Sequence, residues 1–106
     1  MKVYVAMMEM RGCDNDGKTE FYGKCLGVAL TRKAALLLCK KQKDLYVSVY
    51  NEVARECGAK DAKPKQWTQK MGKGKCEIIK LDMTDGFVCY FFWVDRHDLA
   101  TSGGAK

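Results

Sequence analysis

The chain has 106 residues, 47% of them hydrophobic, and its nineteen Lys and Arg outnumber thirteen Asp and Glu to leave a net charge of +6. That length suits one domain around one core, the apolar content argues against disorder throughout, and the positive balance favours anionic partners. No stretch approaches the ~20 apolar residues of a membrane helix, because AALLLC is stopped by Lys40 and Lys41. The opening MKVYVAMMEMR meets Glu9 and Arg11 too early for a signal peptide and lacks a small-residue cleavage site.

Residues 2–10, KVYVAMMEM, alternate weakly and are rich in β-branched and aromatic side chains, which predicts a first strand. Asn15-Asp16-Gly17 supplies turn chemistry, since Asn, Asp and Gly accept left-handed backbone. As a calcium loop the segment fails: with Gly17 at the sixth position, Gly12 falls first and Gly23 last, where a carboxylate is required. Residues 21–30 predict the return strand, with Gly23 and Gly27 marking a bulge or close approach.

Thr31 then caps a helix ending at Gly58, either continuous or broken near Lys43-Asp44. Its apolar positions Ala34, Ala35, Leu38, Leu45, Val49, Val53 and Cys57 fall near helical spacing. Lys40, Lys41 and Lys43 read as a solvated face, with a phosphate-facing stripe as the functional alternative.

Residues 59–75 read as a basic loop: the stretch 63–75, KPKQWTQKMGKGK, holds five lysines and no acid around Trp67. Residues 76–83 alternate again, TDG at 84–86 predicts a tight turn, and FVCYFFWV at 87–94 predicts a strand. Because that strand is apolar on both faces, it belongs at the centre of the sheet or offers one face to a partner. The expected fold is α+β: a small antiparallel sheet of about four strands, two hairpins either side of one long helix, over residues 1–100 with a flexible tail at 101–106.

Chemistry is scarce. The six cysteines are spread out with no CxxC pair, and the lone His97 cannot complete a zinc set, so free thiols of a cytoplasmic protein without metal or other cofactor are expected. His97 lies between Asp95 and Asp98, where a catalytic His–Asp pair is conceivable and a charged, exposed strand end is the plainer expectation. MGKGK lacks the Walker spacing and the Ser or Thr that follows it, and a strand rather than a helix comes next.

As a layout, MKVYV at the start, a glycine-bearing second strand running into GVALTRKAA, and the closing VCYFFWVDRHDL resemble small ββαββ proteins often encoded by phages and mobile elements. The resemblance transfers no catalytic residue. It implies an accessory protein of the kind that inhibits bacterial defence systems, acting in the host cytoplasm.

The expected function is therefore binding, not catalysis: occupation of an acidic surface on a host protein or ribonucleoprotein complex that handles nucleic acid. The expected contact residues are Lys63, Lys65, Trp67, Lys70, Lys73 and Lys75 of the basic loop, with Tyr90 and Phe92 as an aromatic face. The alternative is direct binding of DNA or RNA through the lysines of 60–75. Trp67 fits three roles: base stacking, a protein anchor, or closure over the helix.

Overall fold

The computed structural model describes residues 1–14, 16–58, 63–72, 74–83 and 86–99. The order is β1 (Lys2–Asp14), β2 (Thr19–Ala29), α1 (Arg32–Glu56), β3 (Lys65–Met71), β4 (Gly74–Met83) and β5 (Gly86–Asp98). All strands pair antiparallel in one sheet of order β2-β1-β5-β4-β3. The class is α+β, with five strands where four were expected.

Local chemistry accounts for the connections. Asp14 closes the first turn: its Oδ1 accepts from the backbone of Asp16 (3.0 Å) and Lys18 (2.8 Å). Gly17, at φ 84°, takes the left-handed position that turn needs. Thr31 is extended, and its side-chain oxygen accepts from the Ala34 amide at 3.1 Å, capping a helix that runs unbroken for 25 residues. Met83 pairs with Gly86, so β4 and β5 form a hairpin, although Thr84 and Asp85 lie outside the described residues. A Cβ on Gly86 would run into the Cys13 carbonyl and the Asp14 backbone, which makes glycine a packing requirement there.

The helix covers one face of the sheet. Ala35 and Cys39 meet Ala6, Met8, Ile79 and Phe92 in a small buried cluster. Tyr46 stacks on Tyr90 with ring centroids 4.2 Å apart, Lys43 pairs with Glu77 at 2.8 Å, and the Tyr50 hydroxyl donates to the Asp82 carbonyl at 2.8 Å. The row facing the sheet is thus Ala35, Cys39, Tyr46, Tyr50 and Ala54. Leu45, Val49 and Val53, read from the sequence as apolar positions at helical spacing, are about half exposed on the helix flank.

The segment 65–71, read from sequence as loop, is an edge strand whose seven residues are all exposed. Among the described residues its one strand partner is β4, so it gains little from burial, and its lysines hide the alternation that marks a strand. β5 is central, as its two apolar faces implied, and it extends to Asp98. His97 therefore sits exposed on the strand opposite Val3.

Candidate functional site: a fork between two strands

Period two divides the side chains of β5. Tyr90, Phe92 and Val94 turn toward the helix, while Phe91, Trp93 and Asp95 turn to the uncovered face. Phe92 is 1% exposed in the core and Tyr90 is half-buried against Tyr46, so both turn toward the helix and not to the open contact surface expected of them. Burial, with Tyr46 second, pushes the Tyr90 hydroxyl's pKa up.

On the uncovered face, Trp67 pairs with Ile78, Ile78 with Phe91, and Phe91 with Glu9 across the ladder. Ile78 is 1% exposed although no helix covers that face. Its flanking neighbours in this row are Trp67 and Phe91. Trp67 itself is 39% exposed, which fits neither closure over the helix nor a fully free ring. Arg11 lies over Phe21 at 5.5 Å and over Phe91 at 4.9 Å, and Lys80 lies over Phe87 at 4.5 Å.

The register of β4 against β5 begins at Glu77–Phe92. Before Glu77, β4 parts from β5, while β5 stays paired with β1 as far as Asp98. The two strands thus form a fork, and a cleft of about 1010 Å³ opens in it. One wall is the β3–β4 hairpin tip, with Gln69, Met71, Lys75 and Cys76; the other is Phe91 to Arg96; Arg32 at the start of α1 closes one end. A smaller space of about 400 Å³ shares Arg32, Lys75 and Val94 and reaches toward Cys39 and Phe92.

The electrostatics of the fork are unbalanced. Glu9 is occupied by Arg11 at 2.8 Å, and Asp95 accepts from the Trp93 indole nitrogen at 3.1 Å. Arg32, Lys75 and Arg96 have no carboxylate within ion-pair distance among the described residues. Arg32 instead rests over the Tyr4 ring at 5.4 Å. Three cations therefore point into a cleft whose two acids are already engaged.

The basic residues expected from sequence do not form one patch. Lys65 shares the uncovered face with Trp67, whereas Lys70 pairs with Lys75 and turns to the helix side. Lys63 is exposed ahead of β3, and Lys73 lies outside the described residues. Of the described residues in the expected set, only Lys75 lines the fork. Arg32, Phe91, Trp93 and Arg96 were missed; each lies in an element the sequence does reveal, but only the cross-strand register shows that they converge.

The cysteines are unpaired. Burial raises the Cys39 pKa to about 11 and also raises that of Cys76, which lines the fork. A thiol held protonated is a poor nucleophile or metal ligand. Among the described residues no group of three His, Cys, Asp or Glu could hold a metal, and no helix is long and apolar enough to cross a membrane. Comparison with known protein families, with curated proteins and with solved structures finds no match for this chain.

Proposed function

We propose that this chain is a non-enzymatic binding protein that takes an extended acidic segment of a partner protein into the fork between β4 and β5. The observation that carries the reading is the end of the β4–β5 register at Glu77–Phe92, beyond which, among the described residues, β4 and β5 no longer pair with each other and Arg32, Lys75 and Arg96 line the gap. An extended chain can pair its backbone with a strand edge there, while alternate acidic side chains meet the cations and alternate apolar ones meet Phe91 and Trp93. The partner chemistry is that expected from the sequence: an acidic surface on a host protein or protein–nucleic-acid complex.

Direct nucleic-acid binding is supported less well. A base-stacking platform needs free ring faces. Here Arg11 stands over Phe91 and Lys80 over Phe87, and Lys65 and Lys70 lie on opposite faces of their strand. A continuous phosphate track would need those charges aligned.

The test is capture from host lysate with and without nuclease, alongside titration of a labelled single-stranded oligonucleotide. Capture of a protein that survives nuclease and is lost with Lys75→Glu/Arg96→Glu supports the reading. Tight oligonucleotide binding with a steep log-linear salt dependence, and no nuclease-resistant protein, refutes it.

A further inference from the structure

The exposed apolar side chains are not spread evenly. Phe21, Tyr22 and Val28 on β2, and Leu45, Val49 and Val53 on α1, are each about half exposed or more. Of the β2 group, Tyr22 shares the helix side through its pairing with Met10, while Phe21 and Val28 turn to the uncovered face opposite Arg11 and Val5. Leu38 packs against β2, its Cδ1 standing 2.8 Å from where a Gly27 Cβ would be. Leu45 and Val49 follow Leu38 by seven and eleven residues, so they lie on the helix flank on the β2 side. The opposite flank is occupied by Lys43 and Tyr50, which bond to β4.

Levels along the two elements also match. From Gly27 to Tyr22 is five residues, about 17 Å at ~3.3 Å per residue. The helix runs back along β2, and about 17 Å at 1.5 Å per residue takes Leu38 to the level of Val49. Tyr22 and the helix row of Leu45, Val49 and Val53 thus form one apolar ledge beside an open strand edge, with Glu20 and Lys24 flanking Tyr22. The two edges of the sheet differ: β3 has seven residues and carries lysines on both faces, which blunts it against pairing, while β2 has eleven and keeps its aromatics exposed.

The sequence of β2 is also complementary to itself. Paired antiparallel about Tyr22, Glu20 of one copy opposes Lys24 of the other on the helix side, twice over by symmetry. On the uncovered side Phe21 opposes Gly23, whose bare backbone leaves room for the ring. The same register sets Tyr22 against Tyr22 under the two helix flanks. We propose that a second copy of this chain docks along β2, joining two five-stranded sheets into one continuous sheet, with Leu45, Val49 and Val53 of the two helices facing each other across the junction. The contact is isologous and closes as a dimer. It leaves the β4–β5 fork of each copy free, at the far side of the sheet.

Sedimentation of the full chain from about 1 to about 300 µM, a range that brackets dissociation constants of weak and moderate dimers, tests the proposal. The expected result is a concentration-dependent rise from 12.0 kDa toward twice that mass. Glu20→Lys and Lys24→Glu should each weaken association about tenfold, since each sets two like charges opposite one another at both symmetry-related sites. Glu20→Lys/Lys24→Glu should restore it, and Val49→Lys, at a half-exposed site that does not support the fold, should abolish it. A chain monomeric throughout the range overturns the proposal. So does association that ignores Val49→Lys, or a double variant no tighter than the single ones.

Discussion

Truncating Phe92 to alanine separates a core residue from a contact residue. Phe92 is 1% exposed, lies in the cluster with Ala6, Met8, Ala35, Cys39 and Ile79, and has its ring 6.3 Å from Tyr46 and 6.4 Å from Tyr90. A truncation so enclosed costs about 3–5 kcal/mol, counting lost transfer energy and the cavity left behind. Domains of this size hold only about 5–15 kcal/mol in total, and a core this small belongs at the low end. Phe92→Ala should therefore populate the unfolded state measurably without denaturant, while Phe92→Leu, which keeps most of the volume, should cost less than about 1.5 kcal/mol. Urea unfolding followed by circular dichroism and by tryptophan fluorescence reads both. A shift below about 1 kcal/mol for Phe92→Ala would refute the placement of the helix on that face and would return Phe92 to the surface.

Gly86→Ala should cost about 2–4 kcal/mol, because the new Cβ meets main chain at Cys13 and Asp14 that cannot turn away; a neutral result in the same unfolding assay would contradict the β1–β5 register. Alkylation of the native protein should label exposed Cys25 and Cys57 fast and buried Cys39 and Cys76 slowly, with six alkylated sites after unfolding without reductant; any pair resistant to alkylation would reveal a disulfide. Cys39 should also give stability a pH dependence. Its pKa is raised by burial from 9.0 to about 11, so the folded state keeps a proton that the unfolded state gives up, and stability should be full below about pH 9 and fall toward pH 11. Cys39→Ala should lessen that slope, the raised Cys76, Cys89 and Tyr90 keeping a remainder, and an unchanged slope would show that other groups set it.

The parts of the fold legible in the sequence are those where local chemistry and packing agree. Thr31 and Gly58 bracket the helix, Asp16 and Gly17 mark the first turn, Gly86 marks the start of β5, and the two apolar faces of residues 87–94 announce a central strand. The parts that were not legible turn on choices that need the third dimension. Residues 90–93 are all aromatic, and alternation cannot say which pair faces the helix. The helix carries two apolar rows about 100° apart: Tyr46, Tyr50 and Ala54 line the sheet, while Leu45, Val49 and Val53 stay on the flank. β3 hides because an edge strand rich in Lys and Gln has nearly a loop's composition. The fork needs the register itself, since Arg32, Lys75 and Arg96 come from three elements and converge only where β4 leaves β5.

Hydrogen exchange of the chain alone and in complex with its captured partner tests the claim about the fork most directly. An acidic segment paired into it should slow exchange at residues 74–76 of β4 and at 93–96 of β5, and should leave the outer face of α1 unchanged. Protection confined to α1 or to β2, with the fork exchanging as in the free protein, would contradict the account.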